Sequence, residues 1–266
     1  MIIVAERINA SRKSIRAALE KKDADFIIQE AQAQAEAGAT YIDVNGGTFP
    51  GREGELLTWL VEVVQEVTDL PLTLDSPDPA ALKAALPKVK GPRPLINSIS
   101  LESSRFDSVL ALVKEYKTKV IALCQADKAP NGAFESKMEL AVELVDRLLE
   151  AGLSTDDIFV DPLVFPVAVN PESAFNTILA FEAIHKKYPG IHTICGMTNV
   201  SHGFPARKLI NRAFVTGAIA RGLDGAILDP TDRELMSAIY AAEAVFGRDE
   251  FGLNFIEAFQ DERVKV

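Results

Sequence analysis

The chain has 266 residues, 48% hydrophobic and 25% charged, a globular balance with enough apolar surface to offset the conformational entropy of folding. Small stapled modules, fibrous chains and disordered chains are excluded. Lys and Arg number 28 against 38 Asp and Glu, a net charge of −10. With no basic stripe to counter that field, a phosphate backbone is repelled and nucleic-acid binding is not expected.

The densest basic groups are Arg12, Lys13 and Arg16, then Arg207, Lys208 and Arg212, each short enough for a solvated helix face or a local anion contact. No apolar run approaches the roughly 20 residues of a membrane span. The opening MIIVAERINA lacks a basic start and a small-residue cleavage pattern, so a cytoplasmic protein without membrane contact is expected. Cys124 and Cys195 sit in the apolar contexts VIALCQ and HTICGM, which suit buried reduced thiols.

In chain order, β-branched runs predict strands at 2–5 (IIVA), 40–44 (TYIDV), 71–75 (PLTLD), 94–98 (PLINS), 119–124 (KVIALC), 157–161 (DIFVD), 192–196 (HTICG) and 225–229 (GAILD). Helix-patterned segments lie between them, such as DADFIIQEAQAQAEAG, stopped by Gly38, and ESKMELAVELVDRLLEAG, stopped by Gly152. Strand starts fall about 23 to 38 residues apart, the interval that a strand plus a crossover helix needs. Eight such units predict an α/β fold, a (β/α)8 TIM barrel forming a single domain over 1–266. The competing doubly wound sheet often carries GxGxxG after its first strand; here that turn reads AERINAS.

Chemistry in this fold sits at the C-terminal rim of the strands. The polar residues leaving the strands are Glu6 and Asn9, Asp43 and Asn45, Asp75, Asn97, Gln125, Asp161, Asn199 just past Gly196, and Asp229. No strand is expected to deliver Lys, Arg or His there. Asp and Asn also favour turns and helix N-caps; Asp78 and Asp232 read as caps, and Asn199 suits a cap for a helix starting near 205 as well as a site role. Asp75 in LTLDSP and Asn97 in PLINSI fall within the strand register, where capping does not account for them.

The residue types narrow the ligand. His185, His192 and His202 are the only histidines; His185 reads as a helix-surface residue and His192 opens a strand, so a catalytic zinc site, or any protein-bound metal, is not expected. No strand ends in a Schiff-base lysine, and GMTNVSHG is a weak phosphate loop. A ring of carboxylates and amides suits a neutral, flat heterocycle: a carboxylate accepts paired bonds from a ring N–H and its amino neighbour, while an amide both donates and accepts. Pterin presents that edge.

The segments AERIN (5–9), YIDVNGG (41–47), LTLDS (72–76), LINS (95–98), FVDPL (159–163), GMTNVS (196–201) and LINRAF (209–214) together resemble the methyltetrahydrofolate:corrinoid protein methyltransferases, within the pterin-binding barrels. The resemblance covers nearly the whole chain, in order and at the family's spacing. It implies that Asp75, Asn97 and Asp161 hold the pterin ring with Gly196 beside it. It further implies that Asn199 lies next to the methyl-bearing nitrogen and that Asn199 and Asp75 serve catalysis. Glu6, Asn9, Asp43, Gln125, Arg207 and Asp229 become candidate rim contacts. The segment SHGFPARK (201–208) departs from the family pattern.

The implied reaction moves the methyl group of 5-methyltetrahydrofolate to, or from, the Co(I) cobalamin of a separate corrinoid protein, since no DxHxxG corrinoid segment is present. A homodimer is expected from the family and from apolar residues on the outer helix 134–151. A dihydropteroate synthase-like enzyme and a noncatalytic pterin-binding protein remain the alternatives.

Overall fold

The structure, a computed structural model, describes residues 1–47, 49–128 and 132–265. Its strands are β1 (Ile2–Asn9), β2 (Tyr41–Asn45), β3 (Leu72–Asp75), β4 (Leu95–Ile99), β5 (Lys119–Leu123), β6 (Ile158–Asp161), β7 (His192–Gly196) and β8 (Gly225–Leu228). They are all parallel and close in sequence order into one barrel, with β8 pairing back onto β1. The (β/α)8 expectation holds.

Helices α1 (Lys13–Lys21) and α2 (Ala24–Glu36) follow β1; α3 (Glu53–Val64), α4 (Pro79–Ala85), α5 (Phe106–Tyr116), α6 (Phe134–Glu150), α7 (Ser173–Lys187), α8 (Arg207–Ile219) and α9 (Arg233–Val245) follow β2 to β8 in turn. A terminal helix, α10 (Leu253–Gln260), has no counterpart in the sequence reading. Local chemistry sets several boundaries. Asp23, Asp78 and Asp232 each accept the backbone N–H of the first turn of α2, α4 and α9, satisfying donors that have no intrahelical partner. Gly38 and Gly152 take φ of +95° and +92° just after α2 and α6, a conformation that costs other residues Cβ strain.

The strands alternate between two cores. Their outward residues, such as Ile42, Leu74, Ile96, Val120 and Val160, pack under the helices. Against them α3 buries Leu56, Leu57, Leu60, Val61 and Val64 completely, each worth about 1.5 to 3 kcal/mol of transfer free energy. Inside the barrel, Val4, Leu95, Ile121, Phe159 and Ile194 form a separate apolar plug, flanked by Ile2, Tyr41 and Ile227.

Strand β1 runs to Asn9 rather than ending at residue 5, because a bulge between Ala5 and Ile8 adds one residue against β2. The bulge brings Arg7 into a strand, contrary to the expectation that no strand carries a cation near the rim. Arg7 is nonetheless spent on structure, bonded to Glu30 of α2 and to Asp229 and Thr231 beyond β8. His185 also differs from its surface reading: its Nε2 lies 2.8 Å from the Gly222 carbonyl and 3.1 Å from Asp224. Both cysteines are free and buried. Among the described residues no helix is long and apolar enough to cross a membrane.

Candidate functional site

Side chains alternate faces along a strand, so the residue two positions beyond each member of the apolar plug also faces the barrel axis. That step leads from Val4 to Glu6, from Tyr41 to Asp43 and Asn45, from Leu95 to Asn97, from Phe159 to Asp161 and from Ile194 to Gly196. The backbone register continues it, with Asn45 opposite Asp75 and Asp75 opposite Asn97. A polar layer thus caps the apolar plug at the C-terminal end of the strands. A Cβ built on Gly196 meets no atom within 4 Å, so open space lies at this level.

The layer is acidic and poorly hydrated. Burial lifts Asp75 to about 6 although the Asn45 amide donates to its Oδ2 at 2.8 Å. Burial likewise lifts Asp161 to about 6 against the Leu163 N–H on its Oδ1, the nearby Lys137 ammonium and the Gly196 N–H. Glu6 reaches about 7, raised by burial, opposed by Arg12, and raised further by Asp229 and Asp75. Asp43 is pushed well above the usual carboxylate range by burial and by the charge of Asp75. Its Oδ1 is buried without a hydrogen-bond partner among the described residues. Low dielectric and mutual repulsion disfavour the charged forms, which raises the proton affinity of all four groups and leaves Glu6, at about 7, shared between its acid and carboxylate forms near neutral pH.

The other expected rim residues have protein partners. Asn9 Oδ1 accepts the Ser11 N–H in the turn after β1. Gln125 donates to Glu102. Burial works to raise Asp229, but Thr231, Arg7 and Arg12 together hold it below the usual range. Arg207 donates to Ser201 Oγ and to the Thr198 carbonyl, bracing the loop after β7. Asn199 closes a short 3₁₀ turn, Met197–Asn199, and its Nδ2 donates to the Val164 carbonyl. It does not cap α8, whose N-cap position is Ala206 with no side-chain bond.

The sequence reading left Asn45 without a role and singled out neither Arg105 nor Lys137, two buried cations behind the polar layer. A signal existed for Lys137: it shares helical spacing with the buried Ala141, Leu144, Val145 and Leu148 of α6, an apolar stripe where lysine is out of place. A cavity of about 640 Å³ opens at the opposite end of the barrel, beside Glu182, His185, Arg221, Asp224 and Arg248. Arg221 pairs there with Glu182 and Arg248 with Asp224. The strands' N-terminal ends are the stability face of this fold.

A barrel whose mouth carries carboxylates and amides over an apolar floor is the architecture of a pterin-binding enzyme, and a family model of that description, pterin binding enzyme, matches residues 5–229. Methylcorrinoid:tetrahydrofolate methyltransferase of Eubacterium limosum is 39% identical over 267 residues, covering 99% of this chain and 98% of that protein. Methionine synthase of Mycobacterium tuberculosis (strain ATCC 25618 / H37Rv) is 30% identical over 86% of this chain, which spans 20% of that protein. Dihydropteroate synthase from Vibrio fischeri ES114 superposes with a TM-score of 0.70 at 15% identity, covering 92% of this chain and 93% of that one. The Coxiella burnetii dihydropteroate synthase in complex with pteroic acid superposes at 0.67 and 17% identity, over 85% and 87%. These two likenesses establish the shared fold. The chain belongs to the pterin-binding enzymes and, within them, to the methyltetrahydrofolate:corrinoid methyltransferase family.

Proposed function

We propose that this chain moves a methyl group between 5-methyltetrahydrofolate and the corrinoid of a separate protein, Co(I) accepting it in one direction and methyl-Co(III) returning it to tetrahydrofolate in the other. One observation carries the reading: the polar layer of Asp75, Asn97 and Asp161 stands over an apolar floor in a chain that matches a methylcorrinoid:tetrahydrofolate methyltransferase from end to end. In this reading Asp161, Asn97 and Asp75 take the hydrogen-bonding edge of the pterin, and Gly196 leaves the ring its room. The apolar plug beneath keeps water away from that edge, which strengthens each charge-assisted bond.

A tertiary amine is a poor leaving group, so the methyl-bearing nitrogen must gain a proton or a strong hydrogen bond as the methyl departs. The partner's corrinoid supplies the metal that accepts or returns the methyl group. Asn199 contributes an amide beside that nitrogen. Glu6, which titrates near neutrality, supplies and takes back the proton through water, and Asp75, oriented by Asn45, shares in that network.

The decisive experiment mixes the purified protein, 5-methyltetrahydrofolate and reduced cobalamin and follows the Co(I) absorbance. Conversion to methyl-Co(III) is expected. Pterin binding with an unchanged Co(I) spectrum identifies a noncatalytic binder, and turnover that requires p-aminobenzoate identifies a dihydropteroate synthase.

A cytoplasmic homodimer belongs to the same proposal. The apolar residues of α6 do not support it, since Phe134, Met138, Leu140 and Leu149 pack against the barrel's own core. Support comes from the C-terminal segment, where Phe251, Leu253, Ile256 and Phe259 are exposed. Sedimentation at micromolar concentration tests it, and a monomer there overturns it.

A further inference from the structure

Lys137 on α6 is 1% exposed. Its Nζ donates to the Pro162 carbonyl at 3.0 Å and the Leu163 carbonyl at 2.5 Å, and lies 5.3 Å from the centre of the Phe165 ring. An ammonium group is costly to bury, and it stays only where several acceptors replace its water. The acceptors here belong to the turn directly behind Asp161. Within that turn Leu163 holds φ of +54°, an unfavourable conformation for any residue with a Cβ, and its N–H is the donor to Asp161 Oδ1 at 2.8 Å. The ammonium therefore grips the two carbonyls of the segment whose amide orients the carboxylate.

Arg105, at the start of α5, repeats the arrangement one quarter-turn round the barrel. Its guanidinium donates to the carbonyls of Ser76, Pro77 and Ser98. Ser76 and Pro77 follow Asp75, and Ser98 follows Asn97. Each of the three residues proposed to hold the pterin is thus followed immediately by backbone that a buried cation clamps. Neither cation has a carboxylate as a direct hydrogen-bond partner among the described residues, so neither is a simple ion pair. The Lys137 charge nonetheless opposes the rise of Asp161, and that of Arg105 opposes the rise of Asp75.

We infer that Lys137 and Arg105 are positioning residues for substrate binding: Lys137 sets the carboxylate of Asp161, and Arg105 sets Asp75 and Asn97, each by clamping the backbone that follows. Neither touches the substrate. The inference rests on the pterin reading of Asp75, Asn97 and Asp161, and its distinguishing mark is pairwise. A cation that only stabilises the fold affects binding alike in every background, whereas a positioning cation matters only while its own carboxylate is there to be positioned.

The experiment measures the affinity for 5-methyltetrahydrofolate by calorimetry, together with KM and kcat for methyl transfer to Co(I) cobalamin. Lys137→Met is expected to weaken binding at least tenfold and to raise KM in step, with kcat changed less than threefold. Placed on Asp161→Asn, it should weaken binding less than threefold further; placed on Asp75→Asn, it should retain its full effect. Arg105→Met should keep its full effect on Asp161→Asn and lose part of it on Asp75→Asn, where Asn97 remains to be positioned. Lys137→Gln, which keeps a neutral donor, should fall between parent and Lys137→Met. Equal effects in both backgrounds, or a lowered melting temperature with unchanged affinity, overturns the inference. Failure of both Lys137 variants to fold also overturns it and assigns the residue to stability. If Asp161→Asn by itself leaves affinity unchanged, the pterin reading of Asp161 falls instead.

Discussion

The side-chain amide of Asn199 donates to the carbonyl of Val164 at 2.5 Å, tying the turn after β7 to the loop after β6. A second bond, from the Val167 N–H to the Val200 carbonyl, runs between the same two segments. Asn199 is therefore a cross-loop link on the rim. Its substitution by alanine should cost the fold about 1 kcal/mol, the net worth of one hydrogen bond. Under the proposed role beside the methyl-bearing nitrogen, the same substitution should slow methyl transfer tenfold to a hundredfold, with a smaller change in substrate affinity. Stopped-flow methylation of Co(I) by Asn199→Ala at the parent rate would remove Asn199 from catalysis.

Asp161→Asn replaces an acceptor with a donor at the edge where the pterin presents its own donors. Because the site is 7% exposed, water cannot repair the mismatch, and a loss of about 2 kcal/mol or more in binding is expected. Calorimetry with 5-methyltetrahydrofolate measures it; unchanged affinity excludes Asp161 from the site.

Gly196 has φ −72° and ψ 110°, angles open to any residue, and a Cβ there meets nothing within 4 Å. Gly196→Val should therefore fold with a melting temperature close to the parent's while filling the space left for the ring. An affinity drop of at least tenfold is expected, and a valine variant that binds 5-methyltetrahydrofolate normally would show that the ring lies elsewhere.

Glu6 has a folded pKa of about 7 against an ordinary 4.5. A raised acid contributes stability that is complete below the unfolded value and is lost as pH climbs through the folded one. Glu6→Gln cannot acquire the buried charge. It should be more stable than the parent by up to about 3 kcal/mol at pH 8, shrinking below about 1 at pH 5. Denaturant melts at the two pH values check this. Methyl transfer from 5-methyltetrahydrofolate should decline above about pH 7 in the parent and lose that limb in Glu6→Gln.

Much of the barrel was legible because its determinants are local. Alternating β-branched runs, the Asp78 and Asp232 caps and the glycine stops after α2 and α6 act within a few residues, so eight strands could be placed to within one or two positions at most ends. The end of β1 escaped because a bulge is defined only against the partner strand. The candidate site was legible in its residue types and strand positions, since Asp75 and Asp161 end β3 and β6, Asn97 lies level with Asp75 within β4, and period two carries all three inward.

What those residues do to one another was decided by the tertiary structure. The raised proton affinity of Glu6 is a consequence of burial near Asp229, just beyond β8, and Asp75, at the end of β3. The engagement of Asn9, Gln125 and Asp229 by protein partners, and the release of Asn199 from a capping role, follow from where the loops come to rest. Lys137 and Arg105 acquire meaning only once α6 and α5 pack behind the turns they clamp. Sequence determined which face each side chain takes, because that depends on backbone periodicity. Desolvation, charge repulsion and hydrogen bonding depend on distances between segments far apart in the chain, and only closure of the barrel set those distances.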